Sequence, residues 1–64
     1  MLEPERLIAI RRALRFSQDD MARLLGVSYA SVNRWENGRT TPNKVAQKVL
    51  LLLERKLRKV RKDS

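Results

Sequence analysis

Sixty-four residues make one small domain that must bury enough apolar surface in a single core. With no Cys and no His, neither a disulfide nor a thiolate or imidazole metal site is available to staple it, and no cofactor or metal is expected. Fifteen Lys and Arg against seven Asp and Glu leave a net charge of +8 and a pI near 11.2, which points to a polyanionic partner: nucleic acid first, an anionic membrane surface second.

The N-terminal stretch MLEPERLIAIRR carries acids early and lacks the long apolar core of a secretory signal, and Met1 is read as the natural N-terminus. A first helix is expected from Glu3 or Pro4 to Arg15. Pro4 suits the helix start, where its missing N–H has no intrahelical partner. Leu7, Ile8, Ile10, Ala13 and Leu14 recur at spacings of three and four and supply its buried side.

Ser17 begins the second helix as an N-cap, and Asp20 three residues later completes a capping box with Asp in place of the commoner Glu or Gln. Asp19 and Asp20 also complement the helix dipole. Met21, Leu24 and Leu25 are expected to face inward, and Gly26 to end the helix in the left-handed conformation. Val27 then plugs the turn and Ser28 caps a third helix running to about Asn37, with Asn37-Gly38 as its stop. Thr41-Pro42 repeats the cap-then-proline pattern and opens a fourth helix. Nothing interrupts it from Asn43 to about Lys62, roughly 20 residues or 30 Å at 1.5 Å per residue. The fold class expected is all-α: a small four-helix bundle, or five if the last segment divides.

Two short capped helices joined by a tight glycine turn are the layout of a helix-turn-helix, whose second helix fits the DNA major groove. On a wheel of 100° per residue, Tyr29, Asn33, Asn37, Ala30 and Arg34 fill one arc of about 140°, opposite Val32 and Trp35. The first arc is hydrogen-bonding surface and the second is core. Arg can donate two bonds to guanine O6 and N7, and Asn can pair with adenine N6 and N7. Tyr29 brings a hydroxyl and an aromatic edge, and Ala30 admits close approach. The competing assignment makes Asn33 and Arg34 plain solvated surface; the flanking caps and turn favour the reading surface.

The pattern LR-x-S-Q-x-x-x-A-x-L-L-G-V-S-x-x-x-V-x-x-W-E-N-G-R-x-x-P, from Leu14 to Pro42, resembles the phage repressor and Cro-like (XRE) helix-turn-helix domains over 29 of the 64 residues. The resemblance implies a lambda-repressor-like fold and base-facing positions at Tyr29, Ala30, Asn33 and Arg34. It implies backbone contacts from Gln18, Ser28, Asn37 and Arg39, and an internal ion pair between Arg11 and Glu36. It further implies double-stranded DNA as partner and a cytoplasmic, nucleoid-associated transcriptional regulator of the repressor kind, working as a homodimer. The chain departs from the family in having no glycine after Gly38: one long leucine-rich helix stands where the family has a short fourth and a fifth.

That last helix carries two apolar stripes. Val45, Val49 and Leu52 are expected to close the core over helices one and three. Ala46, Leu50, Leu53, Leu57 and Val60 recur at spacings of four, three, four and three, an a/d-like seam expected to meet a second copy through helix 42–62; packing of all these leucines within one subunit is the alternative. Residues 1–54 are assigned to the DNA-binding domain and 55–64 to a basic end, in which Arg55, Lys56, Arg58, Lys59, Arg61 and Lys62 can meet phosphates or complement the helix C-terminus.

Other classes fare less well. With no His or Cys, no metal-ligand cluster and its two glycines twelve residues apart, the chain offers neither a nucleophile–base pair nor a phosphate loop, so no enzyme and no small-molecule ligand are expected. The longest apolar run, Val49 to Leu53, is five residues against the ~20 a bilayer requires. A membrane-surface role would use the basic helix but leave Ser17 to Pro42 unexplained. The alternative function is an antitoxin or other protein-interaction module on the same fold, with helix 42–62 as its partner surface.

Overall fold

The computed structural model describes the backbone of residues 2–63 and the side chains of residues 2–59. Val60, Arg61 and Lys62, expected in the seam and the basic end, therefore lie outside the described side chains. Four helices follow in order: α1 Pro4–Ala13, α2 Gln18–Leu25, α3 Tyr29–Glu36 and α4 Lys44–Asp63. α1 lies against both α3 and α4, and α2 against α3. The core between them holds Leu2, Leu7, Ile10, Met21, Ala22, Val32, Trp35, Ala46 and Leu50, with Leu14, Phe16, Leu25, Val27, Leu53 and Leu57 packed around it.

Helix ends are set by local chemistry. Pro4 occupies the first turn of α1. In α2 the Asp20 amide donates to Ser17 Oγ and the Ser17 amide to Asp20 Oδ2, both at 3.0 Å, the reciprocal pair of a capping box. In α3 the Ser31 amide donates to Ser28 Oγ at 3.1 Å. The first three helices all close the same way. Residues 16, 27 and 39 donate their amides back to the carbonyls of residues 11, 22 and 34, with Arg15, Gly26 and Gly38 at positive φ of 58°, 69° and 75°. This is a Schellman closure, and it satisfies carbonyls that the helix leaves orphaned. At Gly26 and Gly38 the conformation is free of steric cost; at Arg15 a Cβ is forced into it.

Several expectations are corrected. α1 ends at Ala13, not Arg15, because Arg15 turns left-handed and Phe16 folds back to the core. Ala13 is exposed, lining the open groove that α1 leaves against α4. Leu24 is 48% exposed, its place in the α2 interface taken by Ala22, which is small enough to let α2 and α3 approach closely. The cap of α4 is Asn43 and not Thr41: Asn43 Oδ1 accepts from the Ala46 amide at 2.8 Å, while Pro42 sits buried just outside the helix.

The largest correction concerns the two stripes of α4, which exchange roles. Ala46 and Leu50 are buried and Leu53 and Leu57 pack onto the core, so the expected seam is an intrachain surface. Of the three residues expected in the core, Val45 and Leu52 are 70% and 56% exposed and Val49 is half-buried. Two tethers set this rotation. Gln47 Nε2 donates to the Pro42 carbonyl at 2.6 Å. Arg6 of α1 donates through Nε and Nη2 to the two oxygens of Glu54, at 3.1 and 2.6 Å. Glu54 lies about 40° from Leu50 on the wheel, so the face bearing both turns to α1. Those bonds from Arg6 hold the Glu54 carboxyl below the usual carboxylate range.

Candidate nucleic-acid interface

The face to be tested is the outer side of α3 with the N-terminus of α2. Val32 and Trp35 anchor α3 from beneath, 0% and 6% exposed, and leave Tyr29, Ala30 and Arg34 pointing to solvent, with Asn33 half-buried beside them. Asn37 and Arg39 follow in the exposed turn and Ser28 precedes in the exposed cap. Gln18, first in α2, is half-buried against the same helix. All eight positions singled out in the sequence thus lie along the α2 start, α3 and the turn after it.

A continuous hydrogen-bond chain runs under this face. Arg11 donates from Nε and Nη2 to the two Glu36 oxygens at 2.6 and 3.0 Å, and from Nη1 to the Phe16 carbonyl at 2.9 Å. The pair is largely shielded from solvent, with side-chain exposures of 16% and 5%. The bonds to Glu36 strengthen the hold of Arg11 on its proton. Gln18 Nε2 donates to Glu36 Oε1 at 3.0 Å, Asn33 Nδ2 donates to Gln18 Oε1 at 3.2 Å, and Asn37 Nδ2 donates to Asn33 Oδ1 at 3.0 Å. The ion pair thus ties α1 to the end of α3, and Gln18 ties α2 to its middle. With both partners present, the charges are satisfied rather than stranded.

Sequence reasoning missed the chain from Gln18 through Asn33 to Asn37. The Asn33–Asn37 step was readable as an i, i+4 amide pair. Gln18 and Asn33 are separated by 15 positions, and only the packing of α2 on α3 brings them together. The Arg6–Glu54 tether, 48 positions apart, has no local signature either.

Two cations of this face are unspent. Neither Arg34 nor Arg39 makes an ion pair among the described residues, whereas Arg6, Arg11, Arg23 and Arg58 do. A guanidinium with no partner inside the protein can give its whole donor set to a base edge or a phosphate. The described residues include no cluster of acidic side chains suited to a metal ion and no helix long and apolar enough to cross a membrane.

The family model for helix-turn-helix domains matches residues 7–61. Antitoxin HigA-2 of Vibrio cholerae serotype O1 is 35% identical over 54 residues, covering 84% of this chain. The chain spans about half, 52%, of that relative's length. No solved structure matches the chain. With α2, the Gly26 turn and α3 inside the matched span, the chain belongs to the XRE-type family of helix-turn-helix DNA-binding domains.

Proposed function

We propose that the chain is a sequence-specific, double-stranded-DNA-binding transcriptional regulator, non-enzymatic and of the repressor kind, with α3 entering the major groove. The observation that carries this reading is the division of α3: Val32 and Trp35 lock it to the core while Tyr29, Ala30 and Arg34, with half-buried Asn33, face outward from a helix held at its middle by Gln18 and at its end by Arg11. Arg34 and Asn33 read base edges, the first suited to guanine and the second to adenine. Tyr29 and Ala30 meet thymine methyls or the adjacent backbone. Gln18, Ser28, Asn37 and Arg39 hold phosphates and set the register. A cytoplasmic site of action follows from a chromosomal or phage operator.

The same reading has two copies binding one operator, with the α4 stripe of exposed Val45 and Leu52 and half-buried Val49 as the surface between them. Two recognition helices would then address half-sites about 34 Å apart. Selection of bound duplexes from a random library at about 150 mM salt tests the proposal. A recurring motif supports base readout, and an inverted repeat with half-sites about ten base pairs apart supports the dimer. Unenriched sequence would leave only a basic domain on phosphates and overturn the proposal.

A second reading has a specific basis. The relative is named an antitoxin, and α4 leaves an open groove against α1, floored by Ala9, Ile10, Ala13 and Leu57 and edged by Arg12 and Arg58. On that reading α4 and the groove receive a protein partner, and DNA binding accompanies it. A selection that returns no motif would make this the leading function.

A further inference from the structure

The hydrogen-bond chain under α3 has a direction, and that direction is imposed from one end. The Glu36 carboxylate offers only acceptors. Gln18 must therefore turn its amide nitrogen toward Glu36, as it does at 3.0 Å, and its oxygen outward. That oxygen can accept only from the Asn33 nitrogen, at 3.2 Å, which leaves the Asn33 oxygen to accept from Asn37, at 3.0 Å. A carboxamide is otherwise nearly symmetric in shape, and a solvated Asn turns over between its two orientations at little cost. Here a turned Asn33 would set its oxygen against the Gln18 oxygen and its nitrogen against the Asn37 nitrogen. The order of donor and acceptor on the outer face of α3 is thus decided by Glu36, two links away, with Arg11 holding Glu36 in place.

Each terminal atom of Asn33 keeps one unused valence: a second N–H, and a second lone pair on oxygen. Adenine presents the complement in the major groove, an N7 acceptor beside an N6 donor, with N7 nearer its own strand. Inverting A·T to T·A reverses that order across the groove.

Resting on the reading of α3 as a base-contacting helix, we infer that Gln18 and Glu36 are positioning residues for specificity: they fix the polarity of the Asn33 amide, so that it accepts adenine on one strand and rejects the inverted pair. Asn37 sits at the far end of the chain and steadies Asn33 without choosing its orientation.

The experiment uses the full chain and the duplex motif recovered by selection. The base pair facing Asn33 is located as the one whose preference Asn33→Ala erases. Affinities for the duplex carrying A·T at that step and for its T·A inversion are then measured with wild type, Gln18→Ala, Glu36→Gln and Asn37→Ala, each confirmed folded by its thermal melt. Wild type should favour one orientation by roughly tenfold or more, as a bidentate Asn–adenine pair provides. Gln18→Ala, which cuts the chain, should bring the ratio to within about threefold of unity, even as a lost phosphate contact lowers both affinities together. Glu36→Gln, which can donate as well as accept, should shrink the ratio in the same way. Should that variant not fold, Gln18→Ala decides alone. Asn37→Ala should weaken both duplexes and keep the ratio.

A ratio retained in Gln18→Ala overturns the inference, as does one lost only in Asn37→Ala, or a step facing Asn33 that is a G·C pair. A library selection yielding no motif with wild type would instead remove the base-reading proposal beneath it, so the two failures are distinct.

Discussion

The α2–α3 unit and α4 solve different problems with similar amounts of helix. α2 and α3 are eight residues each, closed by side-chain caps at the start and left-handed residues at the end, and cross-linked by Gln18. Among their outward polar side chains, Gln18, Asn33 and Asn37 are mutually bonded. α4 is 20 residues long, enters through the Asn43 cap, is tethered midway by Arg6, and leaves Val45, Leu51 and Leu52 exposed. The contrast teaches that a reading surface requires its polar groups immobilised before the ligand arrives, because ordering them on binding would cost affinity. A packing helix requires only one face to be covered, and its other face stays free for a partner.

The largest expected effect separates the two faces of α4. Leu50→Ala opens a cavity in the centre of the core, where Leu50 is fully buried, and should cost about 2–5 kcal/mol in denaturant unfolding. Leu52→Ala, only about 3 Å of helix rise away but on the open face, should change the stability of a single subunit by less than about 0.5 kcal/mol. Equal losses would mean that both stripes are covered, and a Leu52→Ala loss that grows with protein concentration would identify a second copy as the cover.

Next come the two unspent arginines of the reading face. Arg34→Ala should cost about 1–3 kcal/mol on the selected site and relax preference at one base pair. Arg39→Ala should weaken all sequences alike and reduce the salt slope by about one. Equal losses on selected and random DNA for Arg34→Ala would move Arg34 from base to backbone.

Helix closure supplies a smaller test. Arg15→Gly removes a Cβ from a left-handed position without touching the core, and should raise stability by about 0.5–1 kcal/mol in thermal or denaturant melts. The reverse change at Gly26, to Ala, should lower it, because φ there is 69° even though no neighbour blocks the added carbon. Unchanged stability in both would show that these closures relax easily and do not pin the reading helix.

The smallest effect is acid sensitivity. The Ser17 amide holds the Asp20 carboxyl below its ordinary value, and Arg6 does the same for Glu54. A carboxyl lowered in the folded state adds stability above its unfolded pKa, near 3.9 for Asp and 4.3 for Glu, and that stability is lost as pH falls through the folded value. Melting temperature should therefore hold from neutrality to about pH 5 and decline below about pH 4, less steeply in Asp20→Asn. A flat profile across that window would mean that neither cap nor tether matters to stability.

The legible part of this molecule was the local part. Ser17 with Asp20, Gly26, Ser28 and Asn37-Gly38 each act within a few residues, so the bounds of α2 and α3 and the inward turn of Val32 and Trp35 follow from spacing alone. α4 was misread at its faces for the same reason. Both stripes are apolar at helical spacing, and spacing cannot say which one another part of the chain will cover. That choice fell to Arg6 meeting Glu54 and to Gln47 meeting the Pro42 carbonyl. The candidate site divides likewise. Which residues of α3 face outward is a property of 3.6 residues per turn. The direction of the amides on that face arises only when Glu36, Gln18 and Asn33 are folded together, because an acceptor-only carboxylate imposes its polarity through contacts that no local stretch of sequence contains.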